Sequence, residues 1–251
     1  MRNVVVGWLC VIAVATAGTA GPGKAVAWAG PVAYVPPPGT LSPGMHGTAI
    51  RKLQRRLADL HYYPGPVNGK FGNDTEEAVW AFQETQRLPA SNDVGRAMGA
   101  ALVHPRSPKL LVPKGASSRV EVNLADKVLV LYRHSKVKLI SHISAGGGYH
   151  YHCPAGVTCG PAITPDGNFR AISFAPGWMR VPLGKMYNPV FFLGDSYAIH
   201  GDIPVPLQPA SHGCVRIPMD VAGFFYRLIH ISPVNGTPVY IRGEHSYHAR
   251  K

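Results

Sequence analysis

The chain has 251 residues, a formal net charge of +12 and 46% hydrophobic residues. That length allows two modest cores, and that hydrophobic content excludes a wholly disordered chain. The excess of Lys and Arg suits an anionic partner, but no groove-reading motif accompanies it, so no nucleic acid is expected as a partner.

In chain order, Arg2 precedes an uncharged apolar run from Val4 to Ala17, followed by small residues. This reads as a secretory signal over residues 1–27, with cleavage after Ala20 or Ala27. The run falls short of the about 20 apolar residues a membrane span needs. A removed leader is therefore expected rather than a membrane anchor, with an uncleaved anchor as the alternative. Residues 28–40 are rich in Pro and Gly and read as an extended linker. From Thr48 to Leu60, Ile50, Leu53, Leu57 and Leu60 recur at helical spacing. The Pro64-Gly65-Pro66-Val67-Asn68-Gly69 stretch breaks the pattern. Asp74 or Thr75 can cap a second helix that turns Ala78, Val79 and Phe82 inward. Two short helices bury little surface, so this unit (41–103) is expected to have low intrinsic stability. Three prolines between His104 and Ser118 indicate a linker.

The period then becomes two. Val120, Val122 and Leu124 alternate, Ala125-Asp126-Lys127 turns, and Val128 to Tyr132 returns as a strand. Val137 to Ser144 continues the sheet, and Pro238 to Arg242 supplies a late strand. Val221, Phe224, Phe225, Leu228 and Ile229 mark one helix between them. The fold class expected for 119–243 is mainly β, a β-sandwich with one packed helix, and 244–251 is a tail.

The chemistry concentrates in Ser211-His212-Gly213-Cys214-Val215-Arg216, with Ile199-His200-Gly201 upstream. A thiolate is a nucleophile, and a neighbouring imidazole can take the thiol proton to leave a thiolate–imidazolium pair. His200 ends a strand, and His212 lies two residues from Cys214 on the same face of an extended segment. Spacing alone leaves both as candidate bases. Gly213 permits close approach of a carbonyl to the surrounding backbone N–H groups. With the leader removed, Cys153, Cys159 and Cys214 remain. An odd count in an exported chain points to a Cys153–Cys159 disulfide and a free Cys214. Free thiols at both positions, or zinc held by His150, His152, Cys153 and Cys159, are the weaker alternatives, and no metal or organic cofactor is expected.

These residues resemble the signature of the L,D-transpeptidase catalytic domain, the cysteine enzymes that cross-link peptidoglycan. Thr164-Pro165-Asp166-Gly167-Asn168-Phe169 resembles a second motif of that family and reads as a tight turn. The resemblance implies Cys214 as nucleophile and His200 as base, with the Gly201 carbonyl orienting its ring. It implies an oxyanion hole from His212, Gly213 and Cys214, and substrate contacts from Ser211 and Arg216.

Upstream, Leu53-Gln54-Arg55-Arg56-Leu57, Tyr62 to Gly69, Phe71-Gly72 and Ala81-Phe82-Gln83 resemble the small all-α three-helix peptidoglycan-binding domain. His61 there takes the place of the usual glycine, and Asn68 that of a common aspartate.

Together the resemblances imply an exported enzyme of the cell wall or periplasm that forms 3→3 cross-links through a thioester. Its partners would be stem peptides and glycan, with carbapenems as covalent inhibitors. A wall cysteine peptidase using water as acceptor, or a non-catalytic peptidoglycan-binding protein, are the alternatives. From His104 onward 16 Lys/Arg stand against 7 Asp/Glu, a net of +9 that suits an anionic wall polymer.

Overall fold

The computed structural model describes residues 34–63, 65–151 and 160–243, and these described residues form one compact unit. The leader, the Cys153–Cys159 pair, the zinc alternative apart from His150, and the 244–251 tail fall outside the described residues.

Three helices come first: α1 (Thr48–Asp59), α2 (Asn73–Gln86) and α3 (Arg96–Val103). Ile50, Leu53, Leu57, Val79, Phe82 and Leu102 pack between them. The expected caps of α2 lie inside the helix instead: Gly72 is the N-cap, and Asp74 and Thr75 sit in the first turn. His61 follows α1 with φ 69°, a left-handed conformation that explains why glycine is the usual residue there. The motif glutamine Gln54 is buried and structural. Its amide donates to Lys70 O (2.9 Å) and Thr75 Oγ1 (3.0 Å), and its carbonyl oxygen accepts from Gly69 N (2.8 Å). Asn68 closes the same turn through Lys70 N–H (2.8 Å).

The rest is a two-sheet sandwich. The first sheet runs β3-β2-β1-β10-β4, with β1 (Arg119–Asn123), β2 (Val128–Arg133), β3 (Lys136–His142), β4 (Gly167–Arg170) and β10 (Pro238–Arg242). The second runs β5-β7-β8-β9, with β5 (Ser173–Phe174), β7 (Gly184–Leu193), β8 (Tyr197–Asp202) and β9 (Val215–Pro218). The strand β6 (Trp178–Val181) pairs with β7 as a hairpin. Two pairings, β1 with β10 and β8 with β9, are parallel. Helix α4 (Met219–Phe225) tightens into a 3-10 turn at Tyr226–Leu228, shorter than its apolar spacing suggests. Its Val221, Ala222 and Phe225 join both sheets in one core with Val120, Leu129, Leu131, Ile199 and Val215. The turn expected at Pro165–Gly167 does not form. The chain runs extended into β4, and Asp166 Oδ2 accepts Gly243 N–H (3.1 Å).

The outer face of the first sheet is covered too. Leu129 and Leu131 point into the sandwich, while Val128, Val130, Tyr132 and Ile140 pack against the helices. Ile140 N–H donates to His61 O (2.9 Å), so the segment after α1 caps the open edge at β3. The 104–118 segment is pinned by Glu121, whose carboxylate accepts Leu111 N–H (2.8 Å), Val112 N–H (3.3 Å) and Arg119 Nε–H (2.6 Å).

Candidate active site

The free thiol of Cys214 lies in the loop between β8 and β9. It lines an open cleft of about 890 Å³ with His200, His212, Ser211 and Arg216. The β6–β7 hairpin forms one wall, and Met179, Val181 and Met186 make an apolar cluster beside Cys214.

Strand register explains the grouping. Ile199 pairs with Val215 and His200 with Arg216, so the inward Ile199 and Val215 leave His200 and Arg216 on the opposite, cleft-facing side. The buried His200 ring places Nδ1 2.9 Å from the Gly201 carbonyl, which fits Nδ1–H as donor and leaves Nε2 free of a proton. Gly201 itself cannot carry a side chain, because a Cβ there would lie 2.7 Å from Ala222 Cβ on α4. Arg216 Nε sits 3.0 Å from Asp202 Oδ2, an ion pair whose angle is too poor for a hydrogen bond.

The cysteine loop is fastened by a buried serine. Ser211 N–H donates to Ala145 O (3.1 Å), and its hydroxyl donates to the Cys214 carbonyl and accepts Gly213 N–H (3.1 Å). Gly213 has φ 139°, and a Cβ there would meet Tyr197 Cε1 at 2.6 Å. Two tyrosines that the motif did not indicate complete the surround. Tyr149 Oη donates to Ser211 O (2.8 Å), and the Tyr151 ring stands edge-on to His212 at 4.3 Å.

Burial pushes the Cys214 thiol up, while the Ala198 amide and the Arg216 charge pull it down. Burial likewise pushes His200 down, against the Gly201 bond and the Asp202 charge, with Arg216 acting in the same sense as burial. Both directions favour a neutral thiol and a neutral imidazole at rest, rather than the ion pair expected from the motif. The Sγ lies 3.7 Å from Ser196 O, and no hydrogen bond joins it to either histidine among the described residues. His212 is also pushed down, by burial and then by Arg216. Among the described residues no group of His, Cys, Asp or Glu could hold a metal ion.

The family description "L,D-transpeptidase catalytic domain" matches residues 117–241, and "putative peptidoglycan binding domain" matches residues 46–102. A crystal structure of the L,D-transpeptidase from Xylanimonas cellulosilytica is 32% identical with a TM-score of 0.73, over 82% of this chain and 99% of that one. An L,D-transpeptidase from Stackebrandtia nassauensis is 18% identical with a TM-score of 0.46, over 82% of this chain and 96% of that one. Comparison with curated proteins gave no match. A β-sandwich bearing this cleft, joined to a peptidoglycan-binding helical domain, defines a transferase of the cell wall. The chain belongs to the L,D-transpeptidase family.

Proposed function

We propose that this L,D-transpeptidase forms 3→3 peptidoglycan cross-links through a Cys214 thioester, and that it acts after export. Cys214 Sγ attacks the carbonyl carbon of the third stem residue of a donor tetrapeptide. His200 Nε2 takes the thiol proton as the S–C bond forms, which suits a pair that is neutral at rest. The C–N bond to the terminal D-alanine breaks, and the proton passes to that leaving amine. A side-chain amine of a neighbouring stem then attacks the thioester carbon. The S–C bond breaks, the thiol regains a proton, and the new amide is the cross-link.

The observation that carries this reading is the Gly201-oriented His200 on the same cleft face as Cys214. Gly213 N–H is engaged by Ser211, so the amides of His212 and Cys214 are the donors we assign to the oxyanion. Ser211 then organises the loop, and Arg216 with Asp202 borders the substrate path. Peptide and glycan of the wall are the partners, held by residues 41–103, while 119–243 does the chemistry. Carbapenems would acylate the same thiol.

The test is Cys214→Ala with purified tetrapeptide muropeptides. Wild type should yield 3→3 dimers and release D-alanine, and the variant should yield neither while still sedimenting with wall sacculi. Dimers from Cys214→Ala would overturn the nucleophile. Tripeptide without dimer from wild type would instead make the enzyme a peptidase.

A further inference from the structure

The loop from His200 to Cys214 is held from behind by β3 and its continuation. Ser144 Oγ donates to Gln208 O (2.8 Å) and accepts Ala210 N–H (3.1 Å). Two residues earlier, His142 Nε2 lies 3.2 Å from Pro206 O. The other ring nitrogen, Nδ1, lies 2.8 Å from Glu84 Oε2, and Glu84 belongs to α2 of the peptidoglycan-binding domain. The His142 side chain is 0% exposed and that of Glu84 4%. Around them stand Lys127 Nζ, 3.4 Å from Glu84 Oε1, and the Trp80 ring, edge-on to His142 at 5.4 Å.

We propose that Glu84 is a positioning residue for the catalytic loop, acting through His142 on Pro206, so that the wall-binding helix α2 is a working part of the active site. Both nitrogens of the His142 ring face acceptors, a carboxylate and a carbonyl. The ring is clamped between them: a partner at Nδ1, whichever of the two carries the proton, fixes the ring plane and tautomer that put Nε2–H on Pro206 O. Removing the Glu84 carboxyl leaves Nδ1 without that partner and the ring free to turn away from Pro206 O. The slack falls on a loop whose remaining ties, at Gln208, Ala210 and Ser211, run directly to Cys214. Docking of the two domains has separate supports, namely the Ile140–His61 bond and the apolar cluster of Val128, Val130, Tyr132 and Ile140. Loss of Glu84 therefore loosens the loop without undocking the helix.

The test compares wild type, Glu84→Leu, His142→Gln and the double variant in the full chain. Two readouts are used: kcat and KM on a soluble tetrapeptide donor, which bypasses wall binding, and the iodoacetamide alkylation rate of Cys214, located by mass. Each is normalised to titratable Cys214 thiol, so that unfolded protein is not counted. Glu84→Leu, which offers Nδ1 no partner, should lower kcat by about tenfold with KM within about twofold, because small misplacements of reacting groups act on turnover. Cys214 alkylation should shift with it. In the His142→Gln background, Glu84→Leu should add nothing, because both act through one chain of contacts. Ser144→Ala, which touches only the loop, should change both readouts in the same direction. A Glu84→Leu enzyme with wild-type kcat and alkylation would overturn the proposal, as would an undiminished Glu84 effect in the His142→Gln background. The turnover readout rests on the donor proposed above, whereas alkylation does not. A wild type inert to the donor would refute that reading and leave the alkylation cycle to decide this one.

Discussion

At the scale of single residues, burial pushes the Cys214 thiol above its ordinary value and the His200 imidazole below its own, which favours a neutral pair at rest. If His200 is the general base proposed above, it must be unprotonated, so acylation falls as pH drops through the His200 value. Since that value lies below 6.5, we expect the acid limb of acylation below pH 6.5 in wild type. His200→Ala should erase the limb and cut acylation by about 10² or more. His212→Ala should keep the limb, because its contribution is a backbone N–H and the Tyr151 contact. Carbapenem acylation followed against pH measures all three, and a limb that survives His200→Ala but disappears in His212→Ala reverses the assignment. Ser211→Ala makes a second test. It strips partners from Gly213 N–H and the Cys214 carbonyl at a 1% exposed site, each worth about 1–3 kcal/mol when left unsatisfied. We expect a lower kcat with KM nearly unchanged, whereas a raised KM alone would return Ser211 to substrate contact. The motif made Cys214, His200 and Gly213 legible, since chemistry fixes their types and spacing. Tyr149, Asp202 and Ser144 were hidden, because their roles come from folding that brings distant segments to the loop.

At the scale of elements, carboxyl groups from two helix starts gather together. Asp74, Glu76 and Glu77 open α2, Asp220 opens α4, and a hydrogen bond joins the Asp74 and Asp220 carboxyls. The positive helix ends attract carboxylates, but four together repel. Burial, then Asp74, Asp220 and Glu76, push Glu77 up to about 8. Burial, then the Asp220 hydrogen bond and charge, push Asp74 to about 6. For an acid whose folded value is raised, the folded state holds its proton longer than the unfolded chain. The associated stability is present below about pH 4 and is lost as pH rises through about 6 and then about 8. We expect Tm to fall from pH 5 to pH 8, and Glu77→Gln to flatten the upper part of that fall. A Glu77→Gln slope identical to wild type, by thermal melts at pH 5, 6.5 and 8, would show that another group sets it. The apolar period made α1, α2, β1 to β3 and β10 readable. Strand β7, although 10 residues long, was not, because Gly184, Asn188 and Pro189 interrupt its apolar pattern, and β4, β5 and β6 were not, because they are only 4, 2 and 4 residues long.

At the scale of the whole molecule, the helical domain and the sandwich share a core. The run Val128-Leu129-Val130-Leu131-Tyr132 is apolar at every position, so the strand was evident but its second buried face was not. Leu129 and Leu131 enter the sandwich, while Val128, Val130 and Tyr132 enter the helical cluster. Low stability expected for two isolated helices is thus offset by docking onto the sheet. The catalytic half depends on the same contact. Without residues 1–103 it would expose Val128, Val130, Tyr132 and Ile140 as one patch, beside a β3 edge whose Ile140 N–H has lost His61 O. An apolar face next to an open edge invites pairing between chains. We therefore expect a 104–251 fragment to self-associate with rising concentration and to melt below the full chain. Val130→Thr with Ile140→Lys should suppress association in the fragment, yet destabilise the full chain, where each buried aliphatic contributes about 1.5–3 kcal/mol. Light scattering and thermal melts on the four proteins check this crossing pattern. A monomeric fragment with the Tm of the full chain would mean that the helical domain is a tether and the sandwich stands alone.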